Sequence, residues 1–229
     1  MLELRNRARG VFVKLSSTEV IDLAAAAGFQ FAVVDLEHSQ LSEGDARALV
    51  RHGRASKFPA LVRIPEPDRG LVNRLLEAGA AGIQLSTVRS AADVHELRSQ
   101  MSYAPDGARS ISLAHPQAGY GASSLADYLA AQRAERPLLV AQIETAQTDD
   151  ALDAIAAAAP DVIFIGTTDL AVDLGLDDER VRARVDEIVA AARSAGVPLG
   201  AFGLDDERFT YQILASDLSL LRTAFADAA

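Results

Sequence analysis

Several short apolar runs of this chain end in residues able to do chemistry. Asp35, Glu37 and His38 stand at the end of one run, Arg63 at the next, and Gln84 at another. Gln142 and Glu144 close LLVAQIE, and Asp169 follows VIFIG. Glu144 and Asp169 would lie a few ångströms apart on neighbouring strands, where two carboxylates repel unless a cation or a proton sits between them. Hard oxygen donors of this kind suit Mg²⁺ or Mn²⁺, with water and substrate completing the shell. The plainer alternative is that Glu144 caps the following helix and Asp169 a short turn. His38 lies three residues after Asp35, so that carboxylate could fix its tautomer and raise its basicity. Its alternative is a satisfied histidine at a surface rim. Arg63 would be costly to bury without an anionic partner, either a structural carboxylate or a bound anion. Of the other histidines, His52 and His95 sit in polar helical stretches and His115 in a long loop.

The elements that must position these residues alternate along the chain. β-Branched runs at 11–14, 31–35, 60–63, 82–85, 138–144, 162–166, 197–202 and 211–214 are mostly continuously apolar, as in parallel strands buried on both faces. Helical patterns lie between them. One covers 18–27, with Ser17 as cap and Gly28 as stop; another covers 42–56, opened by Ser42 with Asp45 three residues on. A third covers 178–195 and stops at Gly196. Eight such alternations in 229 residues fit a single (β/α)8 TIM barrel over 1–229. An open doubly wound sheet fits less well, because no Gly-x-Gly-x-x-Gly turn follows the first strand and no Walker loop occurs. In a TIM barrel, catalytic residues project from the C-terminal strand ends, where the residues above would converge. Residues 103–123 form a long connection rich in Gly, Pro, Ser and His, a length usually tied to function. The final crossover is shortened: only 203–210 separate the last two strands, and a C-terminal helix follows. In that helix, 218–228, Leu218, Leu221 and Phe225 fall on one stripe.

Composition narrows the chemistry. The chain has no cysteine, which excludes disulfides, thiolate metal sites and a cysteine nucleophile. Its net charge of −10 argues against a nucleic-acid footprint. The opening MLELRNRARG lacks an apolar core of signal-peptide length, and no stretch is apolar enough to span a membrane, so a cytoplasmic protein is expected. Lys14 and Lys57 are the two lysines. Only Lys14 follows a strand, so it is the one candidate for a Schiff-base mechanism.

The blocks AGFQFAVVDLEHSQLS, PALVRIPEPD, NRLLEAGAAGIQLSTV, VAQIET and DVIFIGTTDLAVDLG resemble, in order, those of the class II metal-dependent 2-keto-acid aldolases, the HpcH/HpaI family. The resemblance runs from about Gly10 to Gly200. It implies a TIM barrel that forms a homo-oligomer, a hexamer or trimer. Its chemistry would make or break a carbon–carbon bond through a pyruvate-type enolate on a divalent metal, with a 2-keto acid of the pyruvate or oxaloacetate kind as substrate. By position, Glu144 and Asp169 would be metal ligands, and Arg63 would bind the keto oxygen. His38, oriented by Asp35, would be the acid/base, with Gln142 supporting the site. Backbone N–H groups near Thr168 and Asp169 would hold the substrate carboxylate. The chain departs from the family pattern at Ser39, Glu77, Ser86, Thr167, Thr168 and Ser110. Glu77, expected among the catalytic residues, replaces a shorter Asp and is expected to alter the aldehyde-handling side of the site. A related condensing enzyme or decarboxylase, or a degenerate acid-binding assembly protein, are the competing readings.

Overall fold

The structure, a computed structural model, describes residues 7–204 and 206–229. Eight parallel strands close into a barrel in sequence order. They are β1 (Ala8–Val13), β2 (Phe31–Asp35), β3 (Ala60–Ile64), β4 (Gly82–Leu85), β5 (Leu138–Ile143), β6 (Val162–Ile165), β7 (Leu199–Phe202) and β8 (Tyr211–Ser216). The helices are α1 (Glu19–Ala26), α2 (Glu43–Ala55), α3 (Arg69–Ala78), α4 (Ala91–Met101), α5 (Leu125–Ala134), α6 (Leu152–Ala157), α7 (Thr167–Asp173), α8 (Asp178–Ser194) and α9 (Asp217–Ala228). The expected (β/α)8 barrel with a C-terminal helix is the observed fold. Between β7 and β8 no helix forms among the described residues, as the short 203–210 segment requires. Residues 1–6 and Asp205 lie outside the described residues, and with them most of the opening segment.

The two-residue period of a strand divides the core in two. Ala8, Phe12, Phe31, Val33, Leu61, Val140, Val162, Phe164, Tyr211 and Ile213 pack inside the barrel. Their alternates, such as Val11, Ala32, Val62, Ile83, Leu139 and Ile163, pack outward beneath the helices. Phe31 and Tyr211 stack at 4.4 Å and fill the interior. Gly10 makes room for this layer, since a Cβ there would meet the Phe31 ring at 2.3 Å. Continuing the inward rows in steps of two brings Lys14, Asp35, Arg63, Gln84, Gln142 and Glu144 to the inner face near the C-terminal strand ends.

Local signals hold the outer ring. The Ser42 hydroxyl accepts from the Asp45 N–H (3.2 Å), and the Asp45 carboxylate accepts from the Ser42 N–H (2.8 Å), the expected capping box of α2. The cap of α1 differs from expectation. Thr18 occupies the N-cap position without a side-chain bond, and the Ser17 hydroxyl donates to Glu19 instead. The long connection before α5 contains a 3-10 turn at Pro116–Gly121. There His115 is buried, its Nε2 2.9 Å from the Ser112 carbonyl and its ring edge-on to Tyr128, so it packs the loop.

Candidate active site

Register places the first charge cluster. Asp35 pairs directly with Arg63 across β2 and β3. Arg63 donates from Nε to Asp35 Oδ1 (2.9 Å) and from Nη2 to Oδ2 (2.6 Å), a two-pronged clamp. Asp35 is fully buried and Arg63 nearly so. Glu37 adds a contact to Arg63 Nε at 3.4 Å, and Phe12 lies 4.4 Å beneath the guanidinium. From β1, Lys14 Nζ reaches Asp35 Oδ2 at 3.2 Å and donates to the His38 carbonyl at 3.1 Å. Burial pushes the Asp35 pKa up. The hydrogen bond and charge of Arg63, the His38 N–H and the Lys14 charge outweigh that effect and hold it below its ordinary value. Asp35 is therefore an ionised anchor. Of the two partners open to Arg63, the structural carboxylate is the one observed. Nη1 remains outside the clamp.

This cluster corrects the expected orientation of His38. Asp35 does not touch the imidazole; it accepts from the backbone N–H groups of Glu37 (3.1 Å) and His38 (3.2 Å). Its carboxylate is already occupied by Arg63 and Lys14. The His38 ring is half exposed, with Nε2 3.8 Å from Glu37 Oε2. Ser39 and Ser86 are placed by the same network: Ser39 donates to the Asp35 carbonyl and Ser86 to Glu37. The Lys14 ammonium sits in an ion pair with Asp35, a poor setting for the free amine that Schiff-base chemistry requires.

A second buried chain of polar groups crosses the barrel. Tyr211 donates to Gln84 (3.4 Å), Gln84 to Gln142 (2.6 Å), and Gln142 to Glu144 Oε2. Glu144 Oε1 accepts from both the N–H (2.8 Å) and the hydroxyl (2.7 Å) of Thr87. Thr87 has φ +50°, a conformation unusual for a β-branched residue, so its alignment is held against strain. Nothing in the sequence marks Thr87, because a β-branched residue gives no sign of positive φ. Glu144 does not cap the next helix.

Asp169 lies in the first turn of α7 and is exposed, as is Thr168 beside it. The first N–H groups of this helix have no intrahelical acceptor. Glu77 is not part of this rim. It sits in the last turn of α3, whose C-terminal end lies at the opposite end of the barrel, and it accepts from Asn73 at 3.2 Å. The expectation that Glu77 is catalytic therefore fails for the site of its own barrel, because a helix returning to the next strand carries its end away from the rim.

The residues present fit a divalent ion. Ile143 and Ile165 are paired, which sets Glu144 opposite Gly166. A Cβ at Gly166 would lie 2.4 Å from Glu144 Oε2, so glycine keeps the space beside that oxygen open. Three donors occupy Glu144, and an ionised carboxylate has about four acceptor sites. Among the described residues no three His, Cys, Asp or Glu side chains cluster as a metal cage. Two carboxylates would leave most positions to water and substrate, the pattern of Mg²⁺ sites.

Comparison with known proteins identifies the family. The HpcH/HpaI aldolase/citrate lyase family model matches residues 8–213. A hydroxypyruvate/pyruvate aldolase of Roseovarius nubinhibens is 36% identical, over 83% of this chain and 74% of its own length. A 4-hydroxy-4-methyl-2-oxoglutarate aldolase of Chaetomium globosum is 30% identical, over 88% of this chain and 77% of its own. The crystal structure of an HpcH/HpaI aldolase from Desulfitobacterium hafniense superposes with a TM-score of 0.86 at 26% identity, covering 97% of this chain and 91% of that one. The chain belongs to their family, the HpcH/HpaI aldolase/citrate lyases.

Proposed function

We propose that this lyase makes or breaks a carbon–carbon bond adjacent to a 2-keto acid of the pyruvate or oxaloacetate type, with Glu144 and Asp169 holding Mg²⁺ or Mn²⁺. The observation that carries the reading is Glu144: a buried carboxylate aligned by three donors, with space kept open beside it by Gly166. The ion, when bound, supplies positive charge to the oxygens of the keto acid. Arg63 offers Nη1 to the keto oxygen, where negative charge grows during bond cleavage. Because Asp35 grips the rest of the guanidinium, that donor is positioned before substrate arrives. Gln142 and Thr87 keep Glu144 in place. The leading N–H groups of α7, near Thr168 and Asp169, hold the substrate carboxylate. His38 carries the proton between the hydroxyl of the bond-breaking carbon and the methyl carbon of the enolate, directly or through one water.

Two measurements test this together. Glu144→Gln and Asp169→Asn should each weaken Mn²⁺ binding, read by paramagnetic resonance. His38→Ala should slow deuterium exchange into the methyl group of pyruvate while Mn²⁺ affinity stays the same. Full Mn²⁺ affinity in both carboxylate variants would remove the metal assignment, and exchange at the wild-type rate would remove His38.

The family resemblance and α9 together support assembly. Leu218, Leu221 and Phe225 are 46%, 40% and 71% exposed, forming the expected stripe with no cover in one chain. A second copy of the chain is the occupant proposed for it. Light scattering at micromolar concentration should give an oligomer, and a monomer would contradict the reading. No helix among the described residues is long and apolar enough to cross a membrane.

A further inference from the structure

A cavity of about 330 Å³ opens at the end of the barrel opposite the rim. It lies between the last turn of α4, the connection that follows, α5 and the residues entering β5. Arg98, Arg109, Arg133 and Arg136 line it, together with Tyr103 and a single acidic residue, Asp106. In a chain of net charge −10 this is a local reversal of sign. Arg98 and Arg136 share one carboxylate, that of Asp161. Among the described residues, Arg133 has no carboxylate within ion-pair distance, and neither has Arg109.

Arg109 is the informative member. It is only 6% exposed. Its Nε donates to Asn73 Oδ1 (3.0 Å) and its Nη1 to Gln132 Oε1 (3.4 Å), and its guanidinium lies 4.6 Å over the Tyr103 ring. Every one of these contacts is with a neutral group. Its Nη2 is buried and has no hydrogen-bond partner. A guanidinium cannot escape burial by losing its proton, and a buried charge without an opposite one is costly. Glu77, the acidic side chain of α3, bonds to Asn73 instead.

We propose that this cavity is a binding site for a small oxyanion of about two negative charges, a phosphate or a short dicarboxylate. Guanidinium forks match the paired oxygens of either group. The volume is at the small end of ligand pockets, about 300 Å³ and upward. The anion would bridge Arg109 at the base and Arg133 at the mouth. Since α4 ends and β5 begins at the barrel floor, the site is separate from the rim that holds Arg63 and Glu144.

The test is calorimetric titration of the full chain, freed of divalent ions on a chelating resin, with inorganic phosphate and with malonate in turn. At least one should bind with a Kd below about 1 mM, a standard free energy of about −4.1 kcal/mol. Whichever binds assigns the ligand as phosphate-like or carboxylate-like. Arg109→Gln should weaken binding at least about tenfold, equivalent to about 1.4 kcal/mol. Arg133→Glu, a change at an exposed position, should do the same and carries the test should Arg109→Gln fail to fold. Arg63→Lys, at the rim, should leave it unaltered. The proposal is overturned if neither anion binds, if binding survives Arg133→Glu, or if it is lost in Arg63→Lys.

Discussion

The two ends of this barrel each bury an arginine, and they treat it differently. At the rim, Arg63 is clamped by a fully buried Asp35, and Lys14 pairs with the same carboxylate at Oδ2. At the floor, Arg109 rests on an amide, a second amide and a phenol ring. The first charge is neutralised within the chain and its direction fixed. The second is held in place but not neutralised. A residue type read from sequence cannot tell these cases apart. Strand register decides the first, because Asp35 and Arg63 are direct partners across β2 and β3. Loop packing decides the second.

The largest expected effect breaks this contrast open. Asp35→Ala leaves Arg63 and Lys14 facing a buried gap and should destabilise the fold by about 3–5 kcal/mol. Arg109→Ala strands no carboxylate and removes hydrogen bonds to neutral groups, each worth about 0.5–1.5 kcal/mol net. Urea denaturation of both variants should therefore rank Asp35→Ala as clearly the worse. Equal losses would mean that Arg109 has an internal counter-charge. Acid should act on the same end. The Asp35 pKa lies below its ordinary 3.8 in the folded state, so its contribution is complete above that value. The contribution is then lost as pH falls through the lowered folded value, where the unfolded chain already binds the proton more tightly. In Asp35→Asn this part of the acid dependence should vanish from a pH series of unfolding curves.

A smaller effect separates the metal side of the rim from its anion side. Gln142 links Gln84 to Glu144, whereas Asp35 and Arg63 bond to each other in a separate cluster. Gln142→Leu should weaken Mn²⁺ binding about 10- to 100-fold, the usual cost of losing a group that orients a metal ligand. Arg63→Lys should leave Mn²⁺ affinity nearly unchanged while slowing turnover. If both variants shift Mn²⁺ affinity alike, the two polar networks act as one.

Much of this arrangement was legible in the sequence. Apolar runs spaced by helical patterns gave the strand order, and two-residue alternation set Gln142 and Glu144 on one inner face. The residues whose roles the sequence does not show depend on contacts across elements. Lys14 was visible only as a lone strand-end amine, since its pairing with Asp35 comes from the closure of β1 against β2. His38 was expected to lean on Asp35, a local spacing argument overridden by the stronger claim of Arg63. Glu77 was assigned to the rim from a motif position alone, although helix direction takes it to the floor.

Thr87 gives the smallest and sharpest test. It sits at φ +50° with its N–H and hydroxyl both on Glu144 Oε1. Holding a non-glycine residue in that region costs about 1–3 kcal/mol. Thr87→Val keeps the strain and loses a hydrogen bond to a charged group, worth about 1.5–3 kcal/mol. Thr87→Gly loses the same bond and relieves the strain, against about 0.5–1 kcal/mol for the added freedom of the unfolded chain. The glycine variant should thus stay within about 1–2 kcal/mol of the parent, given these opposing contributions, and be more stable than the valine variant. Mn²⁺ affinity should fall by a similar factor in both, because Glu144 keeps the N–H donor and loses the hydroxyl in each. Thermal unfolding and Mn²⁺ titration read the two quantities separately. A valine variant as stable as the glycine one would show that Thr87 is unstrained, and that the metal side of the rim is no more tightly held than the floor.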